Sequence, residues 1–363
     1  MTVHQKIAEF CARFNLRTPI LLAPMAGVSH PSLSIAVMQA GGMGACGTLL
    51  MQPAAILNWV KEIRAHTLGP FNLNLWIPDP EPIRDKVNET KLREFLGEWG
   101  PTLGSDAGNA TPPDFSEQCT AMLEANPTVI SSVMGLYPPA FVQAMKSAGI
   151  FWFANVSTVT EALAAEAAGA AGAAGADVIV AQGMEAGGHR GCFDARSAEA
   201  QQVGLFALLP AIVDAVKVPV VATGGIADAR GIAAAFALGA SAVQIGSGFM
   251  RCPEAKLPPA WADAMTRIKP EETILTRAFS GRAGRSLLTD YVRAAHASDV
   301  PKAAPYPVQR SLTAAMRESA VKDNDVQRMQ AWAGQASYLA QARSADELLP
   351  QLWAQAQTLM PSF

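Results

Sequence analysis

Short apolar segments of strand length recur eight times along this chain, and helical patterns separate nearly all of them. The segments are centred near residues 20, 44, 72, 129, 152, 178, 220 and 243. Alternation of strands and helices is typical of a parallel sheet whose faces are covered by helices. Right-handed crossovers close eight such units into a cylinder. The sequence therefore predicts an α/β fold, a (β/α)8 or TIM barrel.

Two stretches of the chain exceed what such a barrel needs. Residues 79–113 follow the third strand and contain several prolines, a charged helical piece over residues 86–99 and a polar tail. Because regular alternation resumes afterwards, we interpret this stretch as an insertion or a lid. We predict a barrel over residues 1–252, followed by a C-terminal extension over residues 253–363 that is largely helical and packs at the barrel mouth.

Two helical patterns close the C-terminal extension, over residues 325–341 and 345–359. A separately folding second domain is the alternative interpretation of this region. We favour an appended region because no clean linker precedes it.

Composition excludes several classes of partner. Charged residues make up only 16% of the 363 residues and the net charge is -3, so nothing indicates binding to nucleic acid or to an anionic membrane. No segment reaches the roughly 18 uninterrupted apolar residues of a membrane span, and the amino terminus lacks a signal-peptide pattern. We therefore expect a cytoplasmic protein, monomeric or homodimeric, that acts on a small molecule.

The five cysteines are scattered, odd in number and never spaced as CxxC. They indicate neither a disulfide framework nor a zinc site, and no other cluster of metal ligands occurs, so no metal is predicted. We interpret the thiols as reduced and mostly structural, with Cys192 the one near the proposed site.

A glycine-rich loop follows the sixth predicted strand, in the segment DVIVAQGMEAGGHRG over residues 177–191. The polar residues Gln182, Glu185, His189 and Arg190 lie among its glycines. Ordering glycine has a high entropic cost, so such a cluster usually marks positive φ angles or a close approach of backbone to a ligand. The loop predicts a binding site, and a flexible surface loop is the alternative.

Glycines also end the seventh and eighth strands, where barrels of this type commonly hold a phosphate. Backbone N–H groups in such turns suit a phosphomonoester, and the helix that begins near Ala229 adds the positive end of its dipole. Simple tight turns are the alternative. The residues of this predicted phosphate site are Gly224, Gly225, Gly246, Ser247 and Gly248.

A phosphate site beside a second glycine loop indicates a ligand with a phosphate tail and a flat head, which fits FMN. The FMN ring needs amide donors and acceptors, and Asn74, Gln182 and Gln244 lie at strand ends. Neutral amides suit both redox states of the ring because they add no fixed charge. Each amide alone is more often a loop-ordering group, so only the set indicates a cofactor.

Proton chemistry near neutral pH favours histidine, and His189 is the one of the five histidines that lies in the glycine-rich loop. We predict that His189 is the catalytic residue. The alternative is a loop imidazole paired with Glu185. His30 follows the first strand and is a supporting candidate, although its position favours an ordinary residue at the start of a helix.

Six motifs resemble those of nitronate monooxygenase, formerly called 2-nitropropane dioxygenase, and occur in the order of that family. They are APMAGVS (23–29), FNLNLWIP (71–78), QGMEAGGHRG (182–191), ATGGIAD (222–228), VQIGSGFM (243–250) and TRAFSGRAGR (276–285). The resemblance spans residues 19–343. Val133 stands where the family often has a histidine or an aromatic residue, and Ser247 stands where many members have threonine.

The resemblance implies an FMN-dependent barrel that oxidises alkyl nitronates, such as propionate 3-nitronate, with O₂ to a carbonyl compound and nitrite. It implies that His189 acts as a base on a neutral nitroalkane, or as an electrostatic partner of a nitronate that binds as an anion. Tyr306 matches a tyrosine near the substrate in some members, and a structural tyrosine is an equal alternative. The implied FMN-binding residues are Met25, Asn74, Gln182, Gly187, Gly225, Gln244, Ile245, Gly246 and Ser247.

Three other functions compete with this interpretation. The nearest is an FMN barrel that takes hydride from NAD(P)H and reduces a quinone or an enoyl thioester. A purine-nucleotide dehydrogenase would need a loop cysteine as nucleophile, and Cys192 lies in the wrong motif for that role. A flavin-binding module without enzymatic activity would retain FMN and turn over neither nitronates nor nicotinamides.

Overall fold

The fold is described from a computed structural model, which covers residues 2–28, 30–169 and 175–360. Most of its strands are short apolar runs with nearly every residue buried. The strands are β1 (Ile20–Leu22), β2 (Gly44–Gly47), β3 (Phe71–Trp76), β4 (Val129–Val133), β5 (Phe151–Val156), β6 (Val178–Gln182), β7 (Gly188–His189), β8 (Val220–Thr223), β9 (Ala242–Ile245), β10 (Thr273–Thr276) and β11 (Gly284–Leu287).

Eight parallel strands form the barrel in the order β1-β9-β8-β6-β5-β4-β3-β2. The backbone N–H of Leu22 donates to the carbonyl of Met43 at 2.9 Å, and a parallel bridge joins Leu21 to Met43. These contacts bring the two ends of the sheet together and close the cylinder. The predicted TIM barrel is confirmed.

The main core lies between the sheet and the helices that surround it. Each of the eight barrel strands is followed by one of the helices α2, α3, α5, α6, α7, α8, α9 and α14. All helices of the described residues are α1 (Val3–Arg13), α2 (Pro31–Gln39), α3 (Pro53–His66), α4 (Lys86–Gly97), α5 (Phe115–Ala125), α6 (Pro139–Ser147), α7 (Val159–Ala167), α8 (Leu205–Ala215), α9 (Ala229–Ala237), α10 (Pro259–Ala264), α11 (Asp290–Ala295), α12 (Val308–Leu312), α13 (Ala314–Lys322) and α14 (Ala345–Leu359). None of them combines the length and the apolar character that a membrane-spanning segment needs.

Helix α1 was not predicted, and it closes the amino-terminal end of the barrel. Phe10 and Phe14 on its buried face belong to a second core with the inward-facing side chains of the strands. The ring centroid of Phe14 lies 4.9 Å from that of Phe151 and 5.1 Å from that of Phe153. Aromatic side chains therefore fill the barrel at the amino-terminal ends of its strands, and the cavity lies at the carboxyl-terminal ends.

A small antiparallel sheet in the order β10-β11-β7 lies at the carboxyl ends of the barrel strands. Its member β7 belongs to the glycine-rich loop, and the other two strands belong to the extension. The helix predicted over residues 325–341 is wrong, because this segment is largely irregular and Trp332 makes a β-bridge with Ser286. The extension thus contributes strands as well as helices to the mouth of the barrel.

The last helix, α14, lies on the side of the barrel, where it packs against α2 and α9. It occupies the place of the eighth barrel helix, and the ring of Trp353 contacts that of Phe236 on α9 at a centroid distance of 5.8 Å. The residues between β9 and α14 therefore lie within the last β/α unit of the barrel. The division of the chain at residue 252 stays a prediction.

The insertion over residues 79–113 is not separate from the extension. Leu92 and Leu96 on α4 share an apolar cluster with Tyr291 on α11 and Leu312 on α12. Both extra stretches therefore form one apolar layer beside the mouth.

Some local predictions about helix ends can be compared with the structure. The N-cap of α2 is His30, whose Nδ1 accepts a hydrogen bond from the backbone N–H of Ser32 at 3.2 Å, so Ser32 is not the cap. The structure therefore agrees with the helix-start interpretation of His30. Residue type predicts Ser29 and Ser32 as caps of this helix and Gly172 as the end of another helix. Ser29 and Gly172 lie outside the described residues.

The aromatic closure at the base of the barrel predicts a large loss of stability in the variant Phe14→Ala. Phe14 is 1% exposed, so its removal leaves a cavity among aromatic neighbours and should lower the free energy of unfolding by about 3–5 kcal/mol. Phe206 is 74% exposed, and Phe206→Ala should change this free energy by less than about 0.5 kcal/mol. Urea titration of the three proteins measures both values, and equal stability of the two variants would contradict the role of α1.

Candidate active site

A cavity of about 630 Å³ opens at the carboxyl ends of the barrel strands. Loops after the strands, the small sheet and the extension together form its wall. This is the end of a TIM barrel at which active sites are built. The predicted site residues that line the cavity are Met25, Asn74, Gln182, Gly187, His189, Gly224, Gly225, Gln244, Gly246, Ser247, Gly248 and Tyr306.

Ile245 differs from the other predicted site residues. Its side chain is 1% exposed and packs in the core between the sheet and the helices. Successive side chains of a strand point to opposite faces, so Gln244 faces the cavity and Ile245 faces away from it. The side chain of Ile245 therefore cannot contact a ligand in the cavity.

The glycines after β8 and β9 form a cradle of backbone N–H groups. Within the described part of the chain, the N–H groups of Gly225, Gly246, Ser247 and Gly248 donate to no acceptor. Gly225 has a φ of +69°, a backbone conformation that favours glycine. Clustered donors of this kind bind anions.

The dipole of α9 contributes less to this cradle than the sequence predicts. The side chain of Asp228 already accepts hydrogen bonds from the N–H groups of Arg230 and Gly231, at 3.0 and 3.1 Å. A carboxylate therefore occupies the positive end of this helix. The cradle depends on the turn glycines themselves.

Gly187 brings the glycine-rich loop close to the extension. A β-carbon at this position would lie 2.5 Å from the backbone nitrogen of Gly334. The same N–H of Gly334 donates to the Oγ of Ser247 at 3.0 Å. Three separate segments of the chain therefore meet beside the cradle, and only glycine fits at position 187.

His189 is held in place by the pairing of β7 with β11. It lies opposite Gly284 in this pairing, and its Nε2 is 2.7 Å from the Oγ of Ser280. The ring centroids of Trp76 and Trp332 lie 4.6 and 4.9 Å from that of His189, both in edge-on arrangements. The imidazole is thus fixed between two indoles in the wall of the cavity.

Glu185 is not the partner of His189, so the alternative pairing is wrong. Its carboxylate accepts hydrogen bonds from the backbone N–H of Leu205 at 2.9 and 3.1 Å, at the start of α8. Glu185 therefore caps a helix, and a buried serine takes its place beside the imidazole.

The surroundings of His189 lower the pKa of its imidazole. Burial lowers the pKa of His189 to about 3, and the positive charges of Arg310 and Arg282 act in the same direction. Desolvation and nearby cations both disfavour the imidazolium. The imidazole in this cavity is therefore neutral at physiological pH, and it is a weak base.

Gln182 has a structural role in the loop. Its Oε1 accepts from the N–H of Gly191 at 2.8 Å, and its Nε2 donates to the carbonyl of His189 at 3.1 Å. The Nδ2 of Asn74 donates to the Oγ of Ser131 at 2.9 Å and to the carbonyl of Ser131 at 3.2 Å. The amide of Gln244 has no hydrogen-bond partner among the described residues. A ligand-binding role of the three amides stays a prediction.

Several residues of the wall were not identified from the sequence. Arg310, Trp332 and Ser280 line the cavity but belong to the extension, far along the chain from the strand ends. The only signal for one of them was the motif TRAFSGRAGR, which contains Ser280. Trp76 ends β3, and its ring lies 5.3 Å from that of Tyr306.

An ion pair between a buried arginine and a half-buried aspartate connects the insertion to the segment that carries Ser280. The Nε of Arg282 donates to a carboxylate oxygen of Asp79 at 2.8 Å, and the guanidinium also donates to the carbonyl of Cys192. Arg282 is 2% exposed, so loss of Asp79 would leave a buried charge unpaired. This pair fixes the segment on which His189 depends.

Cys192 does not have the properties of a nucleophile. It is 2% exposed, and burial raises the pKa of its thiol. The thiolate is the nucleophilic form of cysteine, and burial in this site disfavours it. The geometry therefore gives no support to a purine-nucleotide dehydrogenase.

Comparison with known proteins agrees with the motifs. A family model described as nitronate monooxygenase matches residues 9–355. The nitronate monooxygenase of Pseudomonas aeruginosa is 36% identical over 361 residues, which cover 95% of this chain and 97% of that protein. The nitronate monooxygenase of Paraburkholderia phytofirmans is also 36% identical, and the match covers 92% of this chain and 91% of that protein.

Comparison with solved structures also finds proteins that are similar to this chain over nearly its whole length. A nitroalkane oxidase from Streptomyces ansochromogenes matches with a TM-score of 0.86 and 33% identity, over 96% of this chain and 99% of that chain. FabK from Thermotoga maritima matches with a TM-score of 0.75 and 25% identity, over 97% of this chain and 96% of that chain. The resemblance drawn from the six motifs is confirmed, and the chain belongs to the nitronate monooxygenase family of oxidoreductases.

Proposed function

We propose that this protein is an FMN-dependent enzyme that oxidises alkyl nitronates, such as propionate 3-nitronate, with O₂ to a carbonyl compound and nitrite. The observation that carries the proposal is a single cavity that contains both the N–H cradle and His189. Family membership supports the oxidation of nitronates.

The residues present fit FMN. The cradle of Gly225, Gly246, Ser247 and Gly248 offers several backbone donors to a terminal phosphate, without a fixed positive charge. The amides of Asn74 and Gln244 would meet the polar edge of the ring. When bound, FMN supplies the redox chemistry with the nitronate and with O₂.

The lowered pKa of His189 favours an anionic nitronate as the substrate. A base with a pKa of about 3 removes an α-proton from a neutral nitroalkane poorly, whereas a nitronate needs no proton removed. The Oγ of Ser280 lies 2.7 Å from Nε2 of His189 and 3.2 Å from the carbonyl oxygen of Arg282, so its one hydrogen has two acceptors within reach. When this hydrogen is donated to Nε2, the shorter contact, the neutral ring carries its own hydrogen on Nδ1. That N–H can then donate to a nitronate oxygen. His189 thus binds and orients the reacting group.

Aromatic side chains reduce the contact of the reacting group with water. Trp76, Trp332 and Tyr306 surround the imidazole and the space in front of it. An anion in such a chamber interacts more strongly with a hydrogen-bond donor than it does in water.

Anaerobic stopped-flow absorbance tests the proposed function. The purified yellow protein is mixed separately with propionate 3-nitronate and with NADH. We expect the nitronate to remove the absorbance of the oxidised flavin rapidly and NADH to leave it unchanged. Bleaching by NADH without any response to nitronate would instead assign the protein to the nicotinamide-dependent reductases.

The variant His189→Asn should separate turnover from cofactor binding. Loss of a hydrogen bond to a charged substrate should lower kcat/KM for propionate 3-nitronate by roughly 10- to 100-fold. The flavin-to-protein absorbance ratio should not change, since His189 is not part of the cradle. His296→Asn is the matched control, because His296 is exposed and lies outside the cavity. Wild-type kinetics in His189→Asn would remove the proposed role of His189.

Substitutions at Gly225 test the position of the phosphate. Gly225→Asp should lose FMN because the new carboxylate would lie against the phosphate. Gly225→Asn introduces a side chain of the same shape without the charge, so this variant should retain much more FMN than Gly225→Asp. Gly149→Asp is the control for backbone strain, since Gly149 has a similar φ of +71° and nothing within 4 Å of an added β-carbon. Flavin content after gel filtration measures the outcome. Full flavin content in Gly225→Asp would show that the phosphate lies elsewhere.

A further inference from the structure

A continuous series of aromatic rings runs from the cavity to the surface of the protein. The ring centroid of Trp332 lies 5.6 Å from that of Phe279, and the centroid of Phe279 lies 5.1 Å from that of Tyr291. The ring of Trp99 follows, at 5.5 Å from Tyr291. These separations are typical of aromatic pairs in contact. The four rings therefore form one contact path, which we call the aromatic path.

The two ends of the aromatic path are accessible, whereas its middle is buried. Trp332 is half-buried and lines the cavity, where its ring contacts that of His189. Phe279 and Tyr291 are 0% and 1% exposed. Trp99 is half-buried and lines a groove on the outer surface. The path therefore crosses the apolar layer that the insertion and the extension form beside the mouth.

The other indole near His189 is not joined to the surface in this way. The ring of Trp76 contacts those of His189 and Tyr306, at 4.6 and 5.3 Å, and both of these residues line the same cavity. Among the described residues, Trp76 is connected to the aromatic path only through His189. Trp332 is therefore the indole that contacting rings connect to the surface.

The two tryptophans are the redox-active members of the aromatic path. An indole ring loses one electron far more readily than a phenyl ring does, so Phe279 serves as a bridge. The hydroxyl of Tyr291 donates to the carbonyl of Ala278 at 2.9 Å. A backbone carbonyl is too weak a base to take up the phenolic proton, so Tyr291 is also a bridge. Contacting rings of this kind favour the transfer of an electron between the indoles at their ends.

A cavity in which O₂ reacts with an organic radical exposes its own side chains to oxidation. Under the proposed function, loss of one electron from a nitronate leaves a carbon radical, and addition of O₂ to this carbon gives a peroxyl radical. The thioethers of Met25, Met134 and Met329 line the cavity, and oxidants convert such groups to sulfoxides. A peroxyl radical that is not consumed would therefore damage the site in which it forms.

We propose that the aromatic path delivers single electrons from the surface to the cavity and thereby removes oxidising radicals that form there. A peroxyl radical takes one electron from Trp332 and one proton from water, and becomes a hydroperoxide. Trp99 then reduces Trp332 through the two bridging rings and releases its own indole proton to water in the groove. A thiol in solution returns one electron and one proton to Trp99 and becomes a thiyl radical.

Light absorbed by the bound flavin tests the path in the absence of nitronate and O₂. An excited flavin takes one electron from a nearby indole, so a laser flash should produce a tryptophan radical that transient absorbance records. In the wild-type protein the radical should reach Trp99, so that the electron returns from the flavin slowly. Trp99→Phe keeps an aromatic ring at this position but removes the terminal indole, and the electron should return at least tenfold faster.

Two further variants define the expected pattern. Trp353→Phe is the matched control, because Trp353 is also half-buried and contacts an aromatic ring, that of Phe236 at 5.8 Å, but lies outside the cavity and the aromatic path. Tyr291→Phe keeps the bridging ring without its hydroxyl. Both variants should show the slow return of the wild-type protein. Equally slow return in Trp99→Phe, or no tryptophan radical in the wild-type protein, would overturn the proposal.

Inactivation during turnover tests the protection itself. In a buffer that contains a thiol, Trp99→Phe should have the initial kcat/KM of the wild-type protein for propionate 3-nitronate, because Trp99 lies outside the cavity. It should complete at least threefold fewer turnovers before it loses activity. Peptide mass spectrometry should find more sulfoxide at Met25 and Met134. Equal numbers of turnovers and equal oxidation would overturn the protective role.

The outcomes separate this proposal from the proposed function. The proposal rests on the proposed function for the source of the peroxyl radical, whereas the light experiment requires only the bound flavin. A radical that reaches Trp99 in a protein that oxidises no nitronate would support the electron path and overturn the proposed function. Nitronate oxidation without any dependence on Trp99 in either experiment would overturn the aromatic path while the proposed function stands.

Discussion

The pairing of β7 with β11 is the interaction on which the candidate site depends. Strand β7 contains only two residues of the glycine-rich loop. The N–H of Arg190 extends the pairing by donating to the carbonyl of Ala283 at 2.9 Å. A β-carbon on Gly284 would lie 2.9 Å from the ring of Trp332, so glycine lets the indole approach. The pairing thereby holds the imidazole of His189 beside the hydroxyl of Ser280 and the indole of Trp332.

The barrel itself could be predicted because its signals are local and repeated. Buried strands such as FNLNLW have a recognisable length and end, and β3 (Phe71–Trp76) contains the centre that was predicted near residue 72. Alternation along a strand also explains why the side chain of Ile245 lies apart from the cavity, since the motif VQIGSGFM contains both inward-facing and outward-facing side chains. Applying the two-residue period to β9 would have separated Gln244 from Ile245.

The mouth of the barrel could not be predicted in the same way. A strand of two residues, such as β7, has no periodic pattern, and its partner lies about a hundred residues further along the chain. The segment 325–341 has helical composition, yet tertiary contacts of Trp332 with β11 override that local preference. Arg310 and Trp332 were missed for the same reason, because only the folded extension brings them to the strand ends.

The titration of His189 shows how the extension changes the chemistry of a residue that the sequence identified. Histidine alone titrates near neutral pH, whereas burial between Trp76 and Trp332 and the charge of Arg310 keep this imidazole unprotonated. A residue of the barrel's own loop therefore takes its protonation state from side chains that lie 120 or more residues further along the chain, such as Arg310 and Trp332. The sequence identifies His189 as the imidazole of the site, whereas the fold decides that this imidazole acts as a neutral hydrogen-bonding group and not as a base.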